Sequence, residues 1–300
     1  MMETGTMRLE ERSRDGIPCL AVTGTRDGVR DLAIPFAVED IPVREIGAHA
    51  FAGNEQLRFV SVPESVDTVG AFAFHNYKAL ARMELHDSVT RYGDGAIRQC
   101  TALSDVYLVM HENNHEVITR MLSDCDNTLT VTVSYPDGEA RLTFPGFVYD
   151  FTENTMARTI QFNIEGSGMA FRDCVSRSGI DFAAYDRLFS RAKLDNISVI
   201  TQVILNRLEY PYALGEQARE GYETYLRENA KPVLETLVRN NDPGRLRFLA
   251  EERTRHLAGK DALDAAILLA SGKGMVETAA ILTDWASHAA PTSHHGMLIL

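Results

Sequence analysis

The chain has 300 residues, of which 45% are hydrophobic and 24% are charged, and its formal net charge is −12 at pH 7. These proportions exclude wholesale disorder, and the length predicts more than one structural unit. The acidic excess, without any dense lysine or arginine run, argues against nucleic-acid binding, because a phosphate backbone would be repelled.

The N-terminal segment, residues 1–42, predicts a cap followed by a first strand. "MRLEE" and "CLAVTG" flank the turn "RSRDGIP" and predict a β-hairpin, and "DLAIP" predicts a short strand. An array of stacked repeats needs such a cap, because its first turn would otherwise expose apolar core.

Several features predict a cytoplasmic protein without a membrane span. Residues 1–30 are charged throughout and contain no apolar signal region, and no run of about 18 apolar residues occurs in the chain. The cysteines show no paired spacing, which argues against a disulfide framework and favours a reducing compartment. They are Cys19, Cys100, Cys125 and Cys174.

Residues 43–109 contain three copies of a 23-residue repeat. The copies begin at Val43, Val66 and Val89, and a glycine follows four positions later in each. The segment L-x-x-V-x-V within each copy predicts a short strand whose alternate residues point inward. We interpret the recurring apolar residues as core packing, since one copy cannot bury its own apolar face.

The second copy, "ESVDTVGAFAFHNYKALARMELHDSV", resembles the BspA-type leucine-rich repeat, and the resemblance covers residues 32–109. It implies a right-handed solenoid with a parallel sheet along one face. It implies no catalytic chemistry.

The residues between the inward positions of these strands are the candidates for binding a protein partner. Aromatic and arginine side chains are enriched among residues that dominate binding energy, and both types occur here. The candidates are Phe59, Ser61, Arg82, Glu84, Asp105 and Tyr107.

Residues 110–149 predict a capping helix and a second hairpin. "HEVITRMLSDCD" predicts the helix, and "TLTVTVSYPDGEARLTF" predicts the hairpin, with its turn at "PDG". We expect Val117, Ile118, Met121 and Leu122 to cover the last repeat, while the histidines and asparagines of "HENNH" face water.

The "HENNH" stretch at 111–115 also supports an alternative hypothesis, a zinc-dependent hydrolase. In H-E-x-x-H a helix places both histidines on one face to bind zinc, and the glutamate polarises water. His111, Glu112 and His115 would fill these roles. The polar flanks and the lack of an evident third ligand argue against it.

Residues 150–290 predict a helical domain, and residues 291–300 a flexible tail. "LDAAILLASGKGMVETAAILTDWA" (263–286) resembles an ankyrin-like helix pair, and residues 232–252 resemble a degenerate earlier copy, so the ankyrin-like part is placed at 230–286.

The sequence thus predicts an α+β fold: a short leucine-rich-repeat solenoid with β-hairpin caps, followed by an all-helical, ankyrin-like C-terminal half. Both parts present extended surfaces, so we expect a non-enzymatic protein-interaction or scaffold module. No cofactor, catalytic residue or metal ligand is assigned.

Overall fold

The computed structural model describes residues 2–4, 6–51, 56–154, 159–193 and 195–288. The chain divides into two units. The N-terminal unit is Met1–Asp195 with Tyr210–Ala213, and the C-terminal unit is Asn196–Glu209 with Leu214–Leu300.

The N-terminal unit consists mainly of short strands. Its described strands are β1 (Met2–Thr4), β2 (Met7–Arg14), β3 (Ile17–Thr25), β4 (Asp31–Ala33), β5 (Ala37–Val38), β6 (Ile41–Ile46), β7 (Phe59–Ser61), β8 (Thr68–Val69), β9 (Arg82–His86), β10 (Arg91–Tyr92), β11 (Asp105–Val109), β12 (Leu129–Tyr135), β13 (Gly138–Phe144), β14 (Val148–Asn154), β15 (Thr159–Glu165), β16 (Val175–Ser176) and β17 (Gly179–Ile180). Its described helices are α1 (Glu116–Asp124), α2 (Gly168–Arg172), α3 (Phe182–Arg187) and α4 (Phe189–Ala192).

Successive solenoid turns contribute strands to two parallel sheets. In the first sheet β3, β6, β8 and β10 are parallel neighbours, and the antiparallel strands β2 and β1 lie outside β3. In the second sheet β4, β7, β9, β11 and β12 are parallel, and antiparallel β13 forms the far edge. The predicted α+β fold, a solenoid followed by a helical C-terminal half, is confirmed.

The inward residues of the second sheet repeat from turn to turn, as the sequence predicts. Val60 and Val62 are fully buried, and the equivalent residues of the next strands are buried beside them. These equivalents are Met83, Leu85, Val106 and Leu108.

The corners between the two sheets pack even more closely. A Cβ atom on Gly70 would lie 2.6 Å from the carbonyl carbon of Gly47, and one on Gly93 would lie 2.6 Å from the Cα atom of Ala71. Beside these corners the rings of Phe51 and Phe74 stack with 4.6 Å between their centroids. The glycines therefore allow one backbone turn to lie directly on the next.

The same corners repeat a left-handed backbone conformation. His49, Phe72 and Gly95 have φ values of 55°, 56° and 64° and follow one another at the 23-residue spacing. The His49 and Phe72 rings stack, and the Phe72 ring lies where a side chain at Gly95 would be. The third turn therefore has room only for glycine at this position.

The predicted start of the helical domain at residue 150 differs from the structure. Strands β14 and β15 pair as an antiparallel hairpin over 148–165, and β16 and β17 form a second short hairpin. "TIQFNIE" alternates polar and apolar residues throughout, which is the period of a strand rather than a helix.

Arg172 at the end of α2 holds this segment to the solenoid end. Its buried guanidinium lies 4.8 Å over the ring of Phe147. It donates hydrogen bonds to the backbone carbonyls of Leu122, Cys125, Asn127, Pro145 and Gly168. A buried charge is tolerated here because its donors are satisfied by carbonyl oxygens.

The described part of the C-terminal unit is helical. Its elements are α5 (Ile197–Glu209), α6 (Glu216–Glu228), α7 (Ala230–Arg239), α8 (Pro243–Ala250), a 3-10 turn (Arg255–Leu257), α9 (Lys260–Gly272) and α10 (Val276–His288). α7 packs against α9, and α8 packs against α10. The predicted tail, residues 291–300, lies outside the described residues.

The helices α7 and α9 end in the same kind of turn. Asn241 and Gly274, 33 positions apart, both end the first helix of a pair with a positive φ. The amides that follow them bond back to equivalent carbonyls, Asp242 to Leu237 at 3.1 Å and Met275 to Ala270 at 3.0 Å.

Replacing Gly70 with alanine tests the corner contact. The new Cβ would meet backbone atoms of the preceding turn, so we expect the unfolding free energy of the N-terminal unit to fall by about 2–3 kcal/mol. The measurement is denaturant unfolding of the full chain.

Gly221→Ala in α6 is the contrasting variant. No atom lies within 4 Å of the point where an added Cβ would stand, so higher helix propensity should stabilise the C-terminal unit by about 1 kcal/mol. A Gly70→Ala chain as stable as wild type would contradict the close-approach explanation.

Candidate functional site

The outer face of the second sheet brings the six predicted partner-binding residues together. Phe59 pairs with Arg82, and Arg82 with Asp105, across β7, β9 and β11. The next outward row contains Ser61, Glu84 and Tyr107 in the same register. Because outward residues alternate with the buried ones, the two rows form one continuous surface.

Five of these six residues line a groove of about 470 Å³. The Arg82 guanidinium lies over the Phe59 ring, 5.5 Å from its centroid, and the Tyr107 side chain is exposed. Arg82, Glu84, Asp105 and Tyr107 line the groove with Phe59, whereas Ser61 lies in the second row outside that lining.

The groove continues onto the hairpin β12–β13, where the repeat pattern predicts no binding residue. Thr132 pairs with Tyr107 and Arg141 pairs with Thr132, so the second row extends by two strands. Arg141 lies 3.5 Å from an Asp105 carboxylate oxygen. The 23-residue spacing could not find these residues, because β12 follows β11 by 25 residues and α1 lies between them.

Tyr210 completes one side of the groove. It belongs to the segment Tyr210–Ala213, which joins the N-terminal unit, and its ring lies 5.7 Å from the Arg141 guanidinium. Tyr212 anchors the segment by stacking on Tyr135, with 4.7 Å between ring centroids. The sequence "YPY" at 210–212 is typical of a proline break between helices, so the local pattern does not indicate this contact.

The outer face of the first sheet differs because its charges pair with each other. Asp67 on this face accepts hydrogen bonds from Arg14, Arg44 and Arg91. Burial alone raises the pKa of Asp67, but hydrogen bonds from Thr68 and the three arginines outweigh burial and lower that pKa well below its usual range. Because these charges are already paired with each other, they are less available to a binding partner than the charges of the groove are.

The "HENNH" stretch does not have the geometry that the zinc hydrolase hypothesis requires. Residues 111–115 precede α1 and are not helical, and Asn113 has a φ of 59°. The Asp87 carboxylate accepts hydrogen bonds from the backbone amides of His111, Glu112 and Asn114, which holds the stretch as a loop.

His115 corrects a second expectation, that the histidines of this stretch face water. His115 is buried, its Nδ1 lies 3.1 Å from the Asn113 carbonyl and its Nε2 lies 3.3 Å from the Tyr135 hydroxyl. Burial lowers the pKa of His115. His111 by contrast is exposed and stacks on His86. The apolar residues Val117, Ile118, Met121 and Leu122 of α1 are buried, as predicted.

Comparison with known families identifies the solenoid. The family model described as "BspA type Leucine rich repeat region" matches residues 36–138 in six copies. Residues 36–138 are BspA-type leucine-rich repeats. The leucine-rich repeat region thus reaches beyond the three copies counted at 43–109 and includes β12, which lies in register with the repeat strands.

Solved structures of bacterial leucine-rich repeat proteins share part of this region. One from Bacteroides ovatus is 24% identical over 36% of this chain and 31% of its own, with a TM-score of 0.32. One from Bacteroides capillosus is 22% identical over 36% of this chain and 89% of its own, with a TM-score of 0.31. A leucine-rich cell surface protein from Faecalibacterium prausnitzii is 18% identical over 34% of this chain and 37% of its own, with a TM-score of 0.26.

The match to the Bacteroides ovatus protein spans less than a third of that protein's length. Comparison with curated proteins found no match. Among the helices of the described residues, none combines the length and apolarity needed to cross a membrane.

The Asp67 cluster predicts an acid-dependent loss of stability. An unfolded aspartate has a pKa near 3.9, and the folded pKa of Asp67 is lower, so its contribution is present above about pH 4 and lost as pH falls further. We expect Asp67→Asn to destabilise the N-terminal unit by about 1–2 kcal/mol at about pH 7, and by much less at about pH 3.

Urea unfolding of both chains at the two pH values measures this difference, using the transition that Gly70→Ala shifts. A gap between wild type and Asp67→Asn that stays constant with pH would contradict the role of the ionised carboxylate.

Proposed function

We propose that the chain is a non-enzymatic protein-binding module whose leucine-rich repeat region holds a partner on the outer face of the second sheet. The observation that carries the proposal is the groove, where aromatic and arginine side chains from consecutive strands stand in register. Such side chains dominate binding energy in protein interfaces, because they bury large areas and still form hydrogen bonds.

The charges of the groove suit a protein segment rather than an anionic polymer. Arg82 and Arg141 lie among Glu84, Asp105 and Glu139, so both signs occur side by side. Among the described residues Arg82 and Glu84 make no ion pair, so both remain available to charged groups of a partner. We infer a partner segment that carries both an acidic and a basic side chain beside an apolar one.

We infer that the helical pairs at 230–286 are an ankyrin-like stack, which would make the chain a scaffold with two repeat surfaces. The support is the 33-residue shift that relates Asn241 to Gly274 and Leu237 to Ala270. Tandem helix pairs of about this length are typical of ankyrin repeats.

We also infer a cytoplasmic location. The support is the free and buried state of the cysteines, whose thiols are shielded from oxidation. Burial raises the pKa of Cys100 to about 12 and that of Cys174 to about 11, so both thiols stay protonated.

The groove proposal predicts which variants lose partner binding. Peptides selected from a random displayed library on the immobilised chain provide the ligand, and calorimetry measures their affinity. We expect Tyr107→Ala and Arg82→Ala each to weaken binding by about tenfold or more, because both side chains are exposed and line the groove.

Phe36→Ala and Lys78→Ala are the matched controls, since each removes an exposed side chain of similar type outside the groove lining. Both should bind the selected peptides like wild type. Peptides that bind the two groove variants as tightly as wild type would contradict the proposal.

A further inference from the structure

A cluster of metal-binding side chain types lies at the end of the second sheet, beyond the groove. Glu64, His86 and His111 each offer a ligand atom, and these atoms all lie within 4.8 Å of one another. His86 ends β9, while Glu64 and His111 come from the loops that follow β7 and β11. The three residues thus come from three successive turns of the solenoid.

The backbone that carries the His111 imidazole is fixed by hydrogen bonds, and the two imidazoles of the cluster stack on each other. The His86 and His111 rings stack with 5.6 Å between centroids and 9° between planes. The Asp87 carboxylate fixes the loop that carries His111, because it accepts that residue's amide at 3.0 Å and the next amide at 2.7 Å. Positions fixed by the fold reduce the ordering cost of binding a ligand.

One nitrogen in the cluster lacks a partner. His86 Nδ1 is buried and has no hydrogen-bond partner among the described residues. A buried polar atom without a partner is costly, and a metal ion bound to this nitrogen would remove that cost.

We propose that Glu64, His86 and His111 form a binding site for a divalent transition metal ion of the zinc type. Two imidazoles and one carboxylate are a ligand set that suits zinc, and a fourth position stays open to water. The acidic residues Glu84 and Asp87 contribute a favourable field for a cation at the same place.

Closing the site needs only side-chain rotation. His111 Nε2 lies 3.9 Å from a Glu64 carboxylate oxygen, and the two side chains are 54% and 58% exposed. Ligand atoms around tetrahedral zinc lie about 3.3 Å apart, given bond lengths of about 2.0–2.1 Å. The ligand atoms lie at most 4.8 Å apart, which is about 1.5 Å more than the separation of about 3.3 Å in a bound site. Rotation of the exposed Glu64 and His111 side chains can close that gap.

This site differs from the H-E-x-x-H hypothesis, although both use His111. In the proposed site its partners are His86 and Glu64, whereas the signature pairs it with His115, which is buried and bonded to Asn113 and Tyr135. The site is also independent of the proposed groove, because none of its three ligands lines that groove.

Zinc titration of the full chain by calorimetry, in a buffer that does not bind metals, tests the proposal. We expect about one zinc ion per chain with micromolar or tighter affinity, and a loss of about tenfold or more in Glu64→Gln, His86→Ala and His111→Ala. Glu64→Gln is the variant that should fold like wild type, because Glu64 is exposed and glutamine has nearly the same shape as glutamate. A loss of zinc binding in this variant therefore reports on the site and not on folding.

His115→Gln and the double variant His294→Ala, His295→Ala are the controls, since they remove the signature histidine and the paired histidines near the C-terminus. Both should bind zinc like wild type. Absence of zinc binding, or a loss caused by either control and not by Glu64→Gln, would overturn the assignment. Circular dichroism of each variant confirms that the fold is kept.

Discussion

The close approach of successive solenoid turns at their corners is the constraint on which both candidate sites depend. Gly70 and Gly93 leave no space for a side chain between one backbone turn and the next. Turns that touch at the corner must stack in register, and the strands of both sheets then pair residue by residue. The rows of the groove are a direct consequence, since each row is one repeat position carried across several turns.

The positions of several site residues depend on how the regular 23-residue repeat ends. Asp87 binds the amides that follow β11 and turns the chain away from the 23-residue path, so α1 replaces the next corner. That diversion places His111 over His86. Because of α1, β12 follows β11 by 25 residues instead of 23. β12 then pairs with β11, and the hairpin β12–β13 adds Thr132 and Arg141 to the groove.

Repeat periodicity allowed the solenoid and half of its groove to be predicted. Val60, Met83 and their equivalents are buried where the alternation places them, and the outward positions follow from the same pattern. Tyr210 and Arg141 could not be predicted, because they reach the groove through tertiary contacts beyond the repeats.

Other parts were missed for different physical reasons. In the hairpin over 148–165 only β15 has a clear strand alternation, and the sequence around the hairpin is mainly helix-forming, so composition predicts a helical domain there. The five letters of "HENNH" predict a helix face only if the backbone is helical, and the Asp87 carboxylate makes it a loop. The pairing of Glu64 with His111 crosses two turns, so no local spacing indicates it.

The far edge of the second sheet has a consequence for assembly. A stack of parallel strands is a template that another chain could extend, since its last strand exposes unpaired backbone groups. Here the last strand, β13, runs antiparallel, and Pro211 lies against it at Ala140 in an isolated bridge. Proline has no amide hydrogen to offer an incoming strand. At Ala140, therefore, the edge of β13 is already occupied by a residue that has no amide hydrogen to pass on to a further strand.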